Sequence, residues 1–191
     1  MALTKLTVQD FIEQLASASP TPGGGSASAL AGAMAAAMVE MAANLTIGRE
    51  KFRDVEAEMK VVLGRAGELR DLMLAAVEED TDAFDEVSQA YKMPRDSDTE
   101  KASRTEAIQQ ALKGATEVPL RVAKAAMETY QLAQVAMEKA NPNVASDARV
   151  AMLLAEAARD GARANVDINL GMIKDEAFLT RMRDELEAIK G

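Results

Sequence analysis

Four places in the chain combine residue types and spacings that could do chemistry. The first is Asp80. Apolar residues recur at Met59, Val62, Ala66, Leu69, Met73 and Ala76, then at Phe84 and Val87. Steps near three and four mark one buried seam of a helix. Asp80 takes the next seam place after Ala76, while Glu78, Glu79 and Asp82 fall on the solvated side. A buried carboxylate must be paired, hydrogen-bonded or neutralised. Two readings are open: an ion pair with Lys or Arg of another helix, or an acid–base and cation-stabilising group in a cleft.

The second place is Gly23-Gly24-Gly25-Ser26. Glycines ahead of a helix can set backbone N–H groups against a ligand, and the helix dipole favours an anion there. The spacing is neither the P-loop nor the dinucleotide fingerprint. Taken alone, a sharp entry turn with Ser26 as N-cap is the favoured reading. The third is Asn143-Val144-Ala145-Ser146-Asp147, where Ser146 or Asp147 could act at a site or simply cap a helix. The fourth runs from Asn44 through Gly48 to Arg49, Lys51 and Arg53. Gly48 reads as a C-cap. The cations beyond it are either a solvated run or the partners of an anionic ligand.

Composition narrows the chemistry. The 191 residues contain no Cys, no His and no Trp, and 3% are aromatic. That excludes disulfides, thiol nucleophiles, His-based triads and zinc sites built on Cys or His. Acid–base groups must then come from Asp, Glu, Lys, Arg or Tyr. A net charge of −9 argues against a nucleic-acid partner. The first residues carry no apolar signal-peptide core, and the lack of Cys suits a reducing compartment, so a cytoplasmic protein is expected. The apolar stretch from Ala27 to Val39 is shorter than the roughly 20 residues a membrane span needs. It reads as a buried helix, with no membrane partner.

The elements that must position these residues are helices. Alanine is abundant, Pro and Gly cluster in few places, and no alternating strand pattern appears. An all-α bundle of long antiparallel helices is expected, as one domain over residues 1–191. Six segments are predicted: Val8 to Ala18 with Thr7 as N-cap, Ser26 to about Gly48, Phe52 to Tyr91, Thr99 to Lys139, Asp147 to Asn165, and Asp175 to Ile189. Residues 20–25 are expected outside any helix, and Pro119 is expected to kink or split the fourth segment. Such thin, Ala-rich cores are often completed against another subunit, so a homo-oligomer, a dimer first, is expected.

Five motifs occur in order: Pro20-Thr21-Pro22-Gly23-Gly24-Gly25-Ser26, Asn44-Leu45-Thr46-Ile47-Gly48 followed by Lys51, Asp80-Thr81-Asp82-Ala83-Phe84, Asn141-Pro142-Asn143 leading to Ser146-Asp147, and Asn165-Val166-Asp167-Ile168-Asn169-Leu170. In this order the chain resembles the cyclodeaminase/cyclohydrolase family from about Leu6 to Leu170. That family comprises the cyclodeaminase domain of formiminotransferase-cyclodeaminase and stand-alone methenyltetrahydrofolate cyclohydrolases. Three positions depart from its pattern: Ala140 before the Asn-Pro-Asn run, Phe52 in place of a frequent Tyr, and Ala148-Arg149 after Ser146-Asp147. Arg149 could bind a ligand's tail or neutralise Asp147.

The resemblance implies an all-helical oligomer acting on one-carbon units of tetrahydrofolate, with no cofactor and no metal. The implied substrate is a folate, with or without a polyglutamate tail. Both family reactions pass through a tetrahedral carbon between N5 and N10 and involve a cationic amidinium. The resemblance then implies Asp80 as central acid–base group. Asp147 would be a second carboxylate or orienter, and Lys51 an acid or a counter-ion for Asp80. Asn44, Asn143 and Ser146 would meet the pterin edge. Gly23, Gly24, Gly25 and Ser26 would let backbone approach the ligand, and Arg49 and Arg53 would hold the glutamate tail. The absence of a formiminotransferase domain from the chain tilts the expectation towards cyclohydrolase. The alternative is a non-catalytic folate-binding or helical interaction protein.

Overall fold

A computed structural model describes residues 2–189. Six α-helices account for most of them: α1 (Val8–Leu15), α2 (Gly24–Asn44), α3 (Glu56–Lys92), α4 (Asp98–Lys139), α5 (Ala145–Leu170) and α6 (Glu176–Glu187). Single 3-10 turns lie at Leu3–Lys5 and Pro142–Val144, and a longer one at Glu50–Val55. No strand occurs among the described residues. The helices α2 to α5 pack along their lengths around a ring, α2 on α3, α3 on α4, α4 on α5 and α5 on α2. Their short connections make consecutive helices antiparallel.

Small residues let α2 sit between α3 and α5. Ala29, Ala33, Ala35, Ala36, Ala42 and Ala43 are all buried. At Gly32 a Cβ would come within 2.3 Å of the Met73 sulfur on α3. Glu40, the one charged residue of α2, reaches Arg70 of α3 at 2.6 Å, across the space left open by Gly67. On α3 the predicted seam is buried at Met59, Val62, Ala66, Leu69, Met73 and Ala76. The helix α6 closes the other end of the core with Phe178, Leu179, Met182 and Leu186.

Local rules explain most helix ends. Thr7 caps α1 as predicted, its side chain accepting from Asp10 N–H. Ser97 and Glu100 form a reciprocal capping box at α4. Asp175 caps α6 by accepting from Phe178 N–H.

Five expectations need correction. Gly24 and Gly25 are the first helical residues of α2, with Gly23 at the cap, so Ser26 is not its N-cap. The chain turns through Gly48 at φ 76°, four residues beyond the last helical residue Asn44. The α3 helix begins at Glu56, because Phe52 at φ −120° breaks helical geometry in the preceding 3-10 segment. The α5 helix runs on to Leu170, and its N-cap is Val144, so neither Ser146 nor Asp147 caps it. Finally, Pro119 lies inside a continuous α4, so it does not split the fourth segment. Proline has no N–H to offer the carbonyl four residues earlier, here Ala115. Asn169 of α5 donates its Nδ2 to that carbonyl at 2.9 Å instead.

The α2 helix also exceeds the predicted apolar stretch. Its 21 residues are long and apolar enough to cross a membrane by length and composition, although more than half of its most apolar window is buried in the fold.

Candidate active site

The α2 helix has a cleft at each end. Its 21 residues span about 30 Å at 1.5 Å per residue. The predicted site residues divide between the two ends.

At the N-terminal end, a cleft of about 310 Å3 is lined by Gly23, Gly24 and Gly25 of the turn into α2, by Asp80, Phe84 and Val87 of α3, by Leu112 and Ala115 of α4, and by Asn165, Ile168 and Asn169 of α5. Thus the α3 seam passes from core into cleft at Asp80. Asp80 is half-buried. Its Oδ2 accepts from the Ser26 backbone N–H at 2.8 Å and from the Ser26 hydroxyl at 2.9 Å. The single hydroxyl proton of Ser26 lies between Oδ2 and the Val77 carbonyl, 3.0 Å away. The other oxygen, Oδ1, stands against Gly25, where a Cβ would come within 2.0 Å of it. Only glycine leaves room for the carboxylate at that point.

Burial pushes the Asp80 carboxyl above its usual range, and the two hydrogen bonds from Ser26 pull the other way without cancelling it. Of the two sequence readings, the ion pair is not the one seen: no cation among the described residues bonds Asp80. Ser26 is fully buried, so it supports Asp80 rather than facing a ligand. This corrects its assignment to substrate binding.

At the C-terminal end of α2, a more open cleft of about 490 Å3 is lined by Arg49, Glu50, Lys51 and Phe52 and by Asn141, Pro142 and Asn143. Two motifs meet here through buried side chains. The Thr46 hydroxyl donates to the Ala42 carbonyl at 2.7 Å and accepts from Asn141 N–H at 2.9 Å. Asn141 Nδ2 reaches the Leu45 carbonyl, and its Oδ1 accepts from Asn143 N–H at 3.1 Å. Asn44 and Ser146 are exposed, and Asp147 lies in the first turn of α5. Arg53, which does not line the cleft, pairs with Glu50 of its wall at 2.5 Å. Arg149 is exposed and forms no ion pair with Asp147.

Within one chain, therefore, Lys51 and Asp147 do not join Asp80, and Lys51 is not its counter-ion. The length of α2 keeps them apart. Among the described residues no group of three or more carboxylates converges to hold a metal ion. The sequence reading missed Asn165 and Asn169 as cleft residues. Two Asn four apart on one helix face were the available signal, but α5 was expected to end at Asn165.

Comparison with known proteins matches residues 7–188 to the model of the formiminotransferase-cyclodeaminase family. The chain belongs to this family. Among its relatives is a methenyltetrahydrofolate cyclohydrolase of Methylorubrum extorquens, 45% identical over 96% of this chain and 88% of that protein. The formimidoyltransferase-cyclodeaminase of Sus scrofa is 30% identical over 95% of this chain, which spans 34% of that longer protein. The crystal structure of formiminotetrahydrofolate cyclodeaminase from Thermotoga maritima superposes with a TM-score of 0.87 at 35% identity, covering 97% of this chain and 88% of that one. The all-helical arrangement of this family member is thus shared across nearly its whole length.

Proposed function

We propose that this family member is a folate one-carbon enzyme acting as a methenyltetrahydrofolate cyclohydrolase. One observation carries the chemistry: Asp80 is half-buried in a cleft, oriented through Oδ2 by Ser26, with Oδ1 unbonded. The similarity to the cyclohydrolase of Methylorubrum extorquens extends over almost the full length of both chains and favours hydrolysis. The cyclodeaminase reaction is the second reading, favoured by the Thermotoga maritima structure.

In the cyclohydrolase reaction, water adds to the cationic carbon between N5 and N10. Asp80 takes a proton from that water as the C–O bond forms. The neutral carbinolamine then breaks one C–N bond, with a proton delivered to the departing nitrogen, and leaves the formyl product. One water is consumed and one proton released overall. An ionised Asp80 beside the bridge also stabilises the amidinium cation. Its raised pKa moves it towards operating pH, where a base that must also return a proton works best. The reading needs neither cofactor nor metal, and it places the protein in the cytoplasm, where a Cys-free chain loses nothing.

The expected cation, tail-binding and second-carboxylate roles fall at the other end of α2. An oligomer brings the two ends together. Along α2 the side chains of Met34, Ala37, Met41 and Leu45 form an exposed apolar stripe. A twofold axis perpendicular to this stripe sets α2 antiparallel to its own copy. The Asp80 cleft of one protomer then faces the partner's Lys51. We read the active form as such a homodimer, with α2 shielded in it rather than in a membrane.

A paired assay tests the reaction. Purified protein is given 5,10-methenyltetrahydrofolate in one cuvette and 5-formiminotetrahydrofolate in another, and the methenyl absorbance is followed against blanks. Catalysed loss in the first establishes hydrolysis, and catalysed gain in the second establishes cyclodeamination. Asp80→Asn is expected to lower the rate by about 10²- to 10⁴-fold while the chain stays folded. A variant keeping most of its rate removes Asp80 from the mechanism.

A further inference from the structure

Asn165 and Asn169 stand one turn apart on α5, half-buried, on the wall of the Asp80 cleft. Each carboxamide is tied by its nitrogen. Asn165 Nδ2 donates to the Gly161 carbonyl at 2.8 Å, and Asn169 Nδ2 donates to the Ala115 carbonyl at 2.9 Å. A carbonyl oxygen only accepts, so these bonds decide which end of each amide is which. Turning either amide over would set two oxygens against each other.

The second anchor has a cause in the sequence. The Ala115 carbonyl is the one Pro119 leaves without a helical partner. Proline at 119 thereby provides the acceptor that holds Asn169. Each amide keeps one further N–H and its Oδ1, and neither Oδ1 receives a hydrogen bond from the described residues. The Asn165 amide packs on Gly24, where a Cβ would stand 3.3 Å from Nδ2 and 3.7 Å from Oδ1. At Gly25 the nearest atom is Asp80 Oδ1, 2.0 Å from such a Cβ.

The cleft wall thus carries the acceptor oxygens of Asp80, Asn165 and Asn169 beside Thr21, and no Lys or Arg. The other side chains are mainly apolar, including Phe84, Ile168 and Met172. The donors at hand are the second N–H of each amide, the Thr21 hydroxyl, and the backbone N–H groups of Gly24 and Gly25, which the first helical turn leaves outside its own ladder. A carboxylate or phosphate is repelled by such a wall. A flat ring bearing N–H donors beside a carbonyl is suited to it.

We propose that Asn165 and Asn169 are specificity determinants whose Oδ1 atoms accept from the N–H edge of the substrate's pterin ring, with Pro119 as the positioning residue for Asn169. This rests on the folate reading above. It places the ring, not the glutamate tail, in the Asp80 cleft.

Binding to the full chain tests it by calorimetry. Two probes are compared: tetrahydrofolate, and its 2-desamino-2-methyl analogue, which lacks the exocyclic N–H donors. The wild-type protein is expected to prefer tetrahydrofolate by about tenfold or more. Replacing both amides, Asn165→Leu with Asn169→Leu, is expected to weaken tetrahydrofolate by at least about tenfold and the analogue by less than about twofold. Discrimination then collapses. Pro119→Ala, which returns a helical partner to Ala115, is expected to shrink the same ratio without touching the cleft wall. Alanine at 165 and 169 replaces leucine if the double variant shows no helical circular dichroism.

Equal weakening of both probes, or unchanged discrimination, overturns the proposal while leaving the folate reading intact. A wild-type protein that binds neither probe overturns both, and the paired assay then fails with it.

Discussion

At the scale of single residues, Asp80 is legible because it violates a pattern. A charge in a seam of Met, Val, Ala and Leu stands out without knowledge of what surrounds it. Its partner is not legible, because Ser26 lies 54 residues away and looks like a helix cap. The consequence of that environment can be measured. A carboxyl raised above its unfolded value favours the fold below that unfolded value, near 3.9 for Asp. This contribution is lost as pH rises through the native value. At neutral pH, ionised Asp80 therefore costs stability. Asp80→Asn carries no charge and keeps an oxygen for Ser26, so its melting temperature is expected above wild type at pH 7. The gap should close as pH falls towards about 4. Thermal melts across that range check it, and a pH-independent offset would contradict the linkage.

At the scale of elements, helices were readable from periodicity, caps and breakers. Thr7 and the stop before Pro94 are of this kind. The misplaced ends have tertiary causes. The first turn of α2 is glycine because the Asp80 carboxylate takes the space a Cβ on Gly25 would need, while Gly24 packs tightly on Asn165. Pro119 is tolerated in α4 because a neighbouring helix serves the freed carbonyl. Neither fact can be seen along one segment. The link between the end of α2 and the start of α5 is likewise tertiary, and it rests on Thr46. Thr46→Val keeps the shape but leaves the buried Asn141 N–H without its acceptor. The expected loss is about 1–3 kcal/mol in urea unfolding, with weakened substrate affinity as the 141–143 turn loosens. Unchanged unfolding would show that the turn is held by other contacts.

At the scale of the whole molecule, five motifs in order sufficed to identify the family, because order along a chain survives folding. They could not say which motifs share a cleft, because that depends on the two ends of α2 lying about 30 Å apart. If protomers complete each other's sites, two defective chains can cooperate. Asp80→Asn and Lys51→Ala chains, each impaired alone, are expected to recover about a quarter of the wild-type rate when co-expressed in equal amounts. Half of the dimers are then mixed, and each has one intact site of two. A mixture no faster than the average of its parents would confine each site to one chain. The α2 helix also bears on how such chains can diverge. It works as a ruler whose graduations are Gly25 under Asp80, Gly32 under Met73 and Glu40 against Arg70. One inserted residue turns everything beyond it by about 100°, out of register with every mark. Insertions and deletions should therefore accumulate at residues 93–97 or beyond Leu170, while α2 drifts in composition at constant length.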